Sequence, residues 1–228
     1  MTTRLAHLRW PDVRPDAVVA LPLGSCEQHG PHLPLGTDST IATALADALA
    51  GHRPEVVVAP TLGFGASWEH AGFPGLVSIT AGLLAAVLVE MARSADWASG
   101  LVVVSGHGGN AAGVNAAIRT IRSEGREVMA WAPRTDGGDA HAGRTETSVM
   151  LALEPASVAM ERAEVGWVGA LDEVRSRGVG ALAPNGVLGD PSDASEDHGR
   201  AVLTRWTDDL LTSYDRWRSP ADGARVRP

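Results

Sequence analysis

Four stretches of the chain concentrate side chains that hold cations or move protons. The first, Gly24-Ser25-Cys26-Glu27-Gln28-His29-Gly30-Pro31-His32, is followed shortly by Gly36-Thr37-Asp38. Further on come Gly106-His107-Gly108-Gly109-Asn110 and His141-Ala142-Gly143-Arg144-Thr145-Glu146. Glu27, His29 and Asp38 are ligand types accepted by Zn²⁺, Mn²⁺ and Fe²⁺. Glu27 and His29 are two apart, so an extended backbone points both one way and Gln28 the other. His107 lies between glycines, where backbone can come close to a ligand. These four residues suffice for one metal. With Glu146 added, the set fits two cations bridged by Asp38, the arrangement in which ions ~3.5–4 Å apart activate a water nucleophile. Taken singly, each residue has a plainer reading. Asp38 could be a helix N-cap, His107 a satisfied buried histidine, and Glu146 an acid favoured by a helix dipole. His32 reads as structural, and His7, His52 and His198 as surface residues.

Composition removes competing chemistries. All 19 Lys+Arg residues are Arg, and there is one Cys, one Tyr and one Gln. Without lysine there is neither a Schiff-base nucleophile nor a P-loop. A lone Cys26 makes no intrachain disulfide and no multi-cysteine zinc site, although its place beside Glu27 leaves a cysteine-hydrolase alternative. The net charge of −8 argues against nucleic acid as a partner. The N-terminal segment lacks a continuous apolar stretch, so no signal peptide is expected. The longest run without Asp, Glu, Arg or His, residues 71–89, is broken by Phe73-Pro74-Gly75, Ser78 and Thr80, so no membrane span is expected. A cytoplasmic protein is the simplest expectation.

The elements that must position these residues follow from the apolar pattern. Residues 17–23, 56–59, 101–105 and 128–132 are short apolar runs and read as buried strands. Residues 38–50, 81–94, 111–124, 147–153 and 196–214 read as helices, that over 81–94 as a buried one. In the last, Leu203, Trp206, Leu210 and Tyr214 share a face. Apolar strands alternating with helices imply a mostly parallel sheet covered on both faces. One domain is expected over residues 1–217, with a polar tail over 218–228. In such α/β sheets ligands sit beyond the carboxyl ends of the strands. That is where the four stretches fall, and it is their joint placement that favours a metal site.

Together these motifs resemble the creatininase family of metal-dependent amidohydrolases. The resemblance is carried by Ser25-Cys26-Glu27-Gln28-His29-Gly30-Pro31-His32-Leu33-Pro34-Leu35-Gly36-Thr37-Asp38. It continues through Glu69-His70-Ala71-Gly72-Phe73-Pro74-Gly75, Ser105-Gly106-His107-Gly108-Gly109-Asn110, His141-Ala142-Gly143 with Glu146-Thr147-Ser148, and Gly186-Val187-Leu188-Gly189-Asp190-Pro191. It runs in family order over residues 17–213. It implies a three-layer α/β/α fold, a homo-oligomer with a hexamer favoured, and amide hydrolysis with one or two divalent metals. Glu27, His29, Asp38 and His107 carry over as ligands. Creatininase itself has a second-metal Glu two residues after the turn histidine. Gly109 stands there in this chain, so the resemblance puts Glu146 on the second metal and argues against creatinine as substrate.

In length and in the opening motif the chain is most similar to family members that act on a modified, decarboxylated precursor peptide and release its C-terminal Val–Tyr dipeptide. Small-molecule amide hydrolases of the family, including formamide hydrolases, are the alternative. A non-catalytic, metal-stabilised oligomer is a reading of another class. Within a hydrolase, His141 is the candidate proton shuttle to the leaving amine, or else the residue that orients Glu146. Gly108 and Gly109 offer backbone N–H groups to an oxyanion. Trp68, His70 and Phe73 are expected to line the substrate pocket. Arg144 or Arg134 could grip a substrate carboxylate.

Overall fold

The computed structural model describes residues 3–134, 139–169 and 171–219. Of the tail expected over residues 218–228, residues 220–228 lie outside them. Four strands, β1 (Val18–Leu23), β2 (Val56–Val58), β3 (Gly100–Ser105) and β4 (Val128–Trp131), form one parallel sheet in the order β2-β1-β3-β4. Among the described residues seven α-helices accompany it: α1 (Thr37–His52), α2 (Ala81–Ser94), α3 (Ala111–Ser123), α4 (Arg144–Leu153), α5 (Leu171–Arg177), α6 (Val179–Leu182) and α7 (Glu196–Arg218).

Strand residues alternate between two cores, as a period of two requires. Val18, Ala20, Val56, Val58, Val102, Val104, Met129 and Trp131 face α1, α4 and α7. There they pack on Ile41, Leu45, Leu49, Val149, Met150, Trp206, Leu210 and Tyr214. Val19, Leu21, Leu23, Val57, Leu101, Val103 and Val128 face α2 and α3, against Leu84, Leu88, Val114, Ala117, Ile118 and Ile121. This is the expected α/β fold, with strands flanked by helices on both faces.

Pro22 sits in a central strand, yet it breaks no ladder. Its carbonyl accepts from Leu62 N at 2.9 Å, so its missing N–H lies on the side where β2 has already ended.

Three expectations change. Helix α2 is only half-buried. Leu84, Leu88, Val89 and Ala92 are covered, but Leu83 is 53% exposed. The buried stripe of α7 runs through Val202, Trp206, Leu210 and Tyr214, with Leu203 half-buried beside it, and the helix continues to Arg218. Helices α5 and α6 were not anticipated. They form a small separate core from Val174, Val179, Ala183 and Leu188, with Phe73 packed against it.

Candidate metal centre

The chain runs from β1 outward to β2 and then back to β3 on the other side. The crevice at the carboxyl ends of β1 and β3 is therefore the point where strand order reverses, and α/β sheets bind ligands there. Glu27 and His29 follow β1, Asp38 lies in the first turn of α1, and His107 follows β3. Glycines let these pieces meet. A Cβ on Gly106 would lie 2.2 Å from the Asp38 carbonyl, and one on Gly24 would lie 2.6 Å from Ser39 Cα. Asn110 ties the loops together, accepting from Ala66 N at 2.8 Å and donating to the Gly24 carbonyl at 3.0 Å. His141 is held by reciprocal backbone bonds with Leu188. The chain then turns through Ala142, the one non-glycine residue with positive φ (52°) among the described residues. Its N–H donates to Glu146 Oε2 at 2.6 Å.

Among the described residues three sets of side chains bring one ligand atom each within 4.8 Å of the others: Glu27, Asp38 and His107; His29, Asp38 and Glu146; and Glu27, His29 and His141. The first two share Asp38. Glu27, His29, Asp38, His107 and His141 are all buried. His107 Nδ1 lies 3.2 Å from Glu27 Oε1 and 3.4 Å from Asp38 Oδ2, and His29 Nε2 lies 3.2 Å from Asp38 Oδ1. Both oxygens of Glu27 and Oδ2 of Asp38 are buried with no hydrogen-bond partner. Leaving such oxygens unsatisfied costs at least about 1–3 kcal/mol each. A cation between them would satisfy all three, so the donor set fits one.

The electrostatics sort the four histidines. Burial disfavours protonation of His29, but Asp38 outweighs it and carries its pKa up to about 9. Burial acts likewise on His107, where Glu27 and Asp38 push the pKa up to about 10. In each ring a proton stands where a metal would. His70 and His141 are neutral. Burial, reinforced by His107, takes His70 down to about 4, and burial with His29 nearby takes His141 well below its usual range. Burial, with Asp38 adding to it, raises Glu27 and Glu146 to about 7. Asp38 is lowered: burial opposes ionisation, but His29 and His107 prevail.

The cluster opens onto a cavity of about 740 Å³. Trp68, His70, His107, Gly108, Gly109, His141 and Glu146 line it, with an apolar wall from Ala140, Val174, Val179 and Leu188. Trp68 is 60% exposed, at the mouth. Phe73 lies behind that wall, packed on its core. Arg144 is exposed and donates to the Asp193 carbonyl, and Arg134 is exposed too. Neither is among the lining residues. His32 is buried against Thr147, as a structural residue would be. His198 is half-buried, with Nδ1 3.1 Å from Ser148 Oγ, so it is not a free surface residue.

Sequence reasoning missed three contributors. Gln28 does not point away but reaches His70 and His141. Glu69 lines the cavity with Oε1 3.4 Å from His107 Nε2. It stays ionised because its bond to His107 outweighs the cost of burial. The wall from α5 and α6 had no periodic signal to find.

Comparison with known proteins gives matches over nearly the whole chain. The family model described as creatinine amidohydrolase matches residues 6–213. A relative from Mycobacterium ulcerans named mycofactocin precursor peptide peptidase is 43% identical over 227 residues, covering 94% of this chain and 88% of its own. A protein of the same name from Mycobacterium tuberculosis is 44% identical over 220 residues, covering 90% of this chain and 87% of its own. A solved creatinine amidohydrolase superposes with a TM-score of 0.79 at 24% identity, covering 96% of this chain and 99% of that one. Other solved creatininases include a zinc–zinc form and a manganese form, at TM-scores of 0.78 and 0.76 and 23% identity; each covers 96% of this chain and 100% of that one.

Proposed function

The chain belongs to the creatininase family and is a hydrolase of amide bonds, and from that premise we propose that it is a metal-dependent peptidase. Its substrate is a modified ribosomal precursor peptide, from which it releases a C-terminal Val–Tyr dipeptide. The observation that carries the reading is the pair of clusters sharing Asp38, buried except for the half-buried Glu146, at the floor of an open cavity. A closed four-ligand shell would suit a structural metal. Here His107, His141 and Glu146 instead face open space. The identity of 43–44% to two peptidases favours a peptide over a small amide. The cavity, at about 740 Å³, also has more room than a single small ring needs.

Glu27, Asp38 and His107 would hold one divalent cation, and His29, Asp38 and Glu146 a second. When bound, zinc, iron or manganese ions there supply Lewis acidity and make water more acidic. His141, buried and neutral, accepts the proton that the attacking water gives up. It returns that proton to the leaving amine as the C–N bond breaks. Gly108 and Gly109 bring backbone N–H groups to the oxyanion. Trp68 and the wall of Val174, Val179 and Leu188 take up the side chains of the released end.

Among the described residues no helix is long and apolar enough to cross a membrane. We place the enzyme in the cytoplasm as a single catalytic domain that assembles into a homo-oligomer, a hexamer by preference.

The test is to incubate the metal-loaded protein with modified precursor peptide ending in Val–Tyr and follow the products by mass spectrometry. Release of the dipeptide, lost on chelation, is expected. An intact peptide alongside hydrolysis of a formamide or of creatinine would overturn the peptide assignment.

A further inference from the structure

The chain has a single glutamine, Gln28, and the reaction above gives it no task. Its side chain is nevertheless held at both ends. Oε1 accepts from Gly30 N at 2.8 Å, and Nε2 donates to the Gly186 carbonyl at 3.0 Å. A backbone N–H only donates and a carbonyl only accepts, so the orientation of the amide is fixed by its partners. The seat exists because residue 186 is glycine: a Cβ there would lie 1.8 Å from Gln28 Oε1.

That orientation dictates where the protons sit on two neighbouring rings. The second Nε2 hydrogen of Gln28 faces His70 Nδ1 at 2.9 Å, so Nδ1 must offer its lone pair. The neutral ring then carries its proton on Nε2, 3.1 Å from Glu27 Oε1. The backbone carbonyl of the same residue acts on His141. It lies 2.7 Å from His141 Nε2 and can only accept, so Nε2 is the protonated nitrogen. His141 Nδ1 is left bare, 3.7 Å from Glu27 Oε1. The 3.1 Å approach of Gln28 Nε2 to His141 Nε2 is then a contact between donors and not a bond.

We infer that Gln28 is a positioning residue that assigns opposite duties to two like side chains. Its amide keeps a proton on His70 Nε2, which faces Glu27 Oε1 without a hydrogen bond to it, and so keeps that ring outside the ligand set, while its carbonyl makes His141 present a lone pair to the site. With the proton on Nδ1 instead, His70 would bring a bare nitrogen beside a carboxylate oxygen and compete for the cation. The inference rests on the amide-hydrolase reading only for its effect on turnover.

Long-range ¹⁵N–¹H correlation spectra of the zinc-loaded, full-length protein report each ring's tautomer with no substrate present. We expect Nε2–H patterns for both His70 and His141. Gln28→Met fills the seat without a polar group. It should release His70 to a mixed or Nδ1–H pattern, leave His141 unchanged, and weaken zinc binding about ten- to a hundredfold. In turnover the same variant should lower kcat and leave KM nearly unchanged. An Nδ1–H pattern for His70 in the unsubstituted protein overturns the inference, whether or not the variant folds. So does a Gln28→Met protein with an unaltered His70 pattern and unaltered zinc affinity. Because the tautomers are read without peptide, failure of the peptidase assignment would leave this result standing, and the reverse also holds.

Discussion

Asp38 belongs to both ligand clusters, so it should be the least replaceable side chain in the protein. Asp38→Asn is expected to abolish bound metal, measured by elemental analysis, and to cut kcat by at least about a thousandfold, within the range that metal-site catalysis contributes. His141→Ala should keep its metal and lose about 10²–10⁴ in kcat, the usual share of a proton shuttle. Metal uptake should also depend on pH with a definite sign. Free of metal, His29 and His107 keep their inner protons to about pH 9 and 10, and Glu27 and Glu146 keep theirs to about 7. A cation must displace these protons, so affinity rises as pH increases from neutral toward 10, with protons released on binding. Calorimetry in two buffers of different ionisation heat measures that release. The five proposed ligands were legible because residue type and strand-end position coincided. Gln28 was not, because side chains alternate only along a strand and this segment is not one: the backbone doubles back, with His29 bridged to Leu33. Glu69 was hidden because it reaches the site through a gap at Gly109, where a Cβ would lie 2.2 Å from its Oε1.

One level up, the site depends on how the first turn of α1 rests against the ends of β1 and β3. Gly106→Ala would push a methyl into the Asp38 carbonyl, and backbone in a first helical turn has little freedom to yield. The expected result is a loss of about 1–3 kcal/mol in thermal unfolding together with reduced metal content. Strand positions were legible to within a residue or two, because strands buried on both faces read as unbroken apolar runs. The character of α2 was not. Its Ala, Leu and Val residues look buried all round, yet the sheet covers one stripe only. The true end of α7 was also missed. There Trp217 packs edge-on to Tyr214 and Arg218 stacks 5.3 Å over the Trp217 ring, contacts invisible to a search for apolar spacing. Helices α5 and α6, seven and four residues long and separated by Gly178, carry no period to detect.

For the molecule as a whole, the cation cradle and the substrate wall come from different parts of the chain. The cradle belongs to the loops after β1 and β3 and to the starts of α1 and α4. The wall comes from α5, α6 and the segment near Leu188. Substitutions in the wall, or at the mouth in front of it, should change substrate affinity alone. Trp68→Ala, at an exposed position on the mouth, is expected to raise KM for the peptide about tenfold while kcat, metal content and melting temperature stay near their original values. The wall packs on a core of its own, built from Val174, Val179, Ala183 and Leu188 and separate from the two sheet cores. A graft that exchanges α5 and α6 together with this small core should therefore redraw which amide is accepted while the cation cradle and both sheet cores keep their packing.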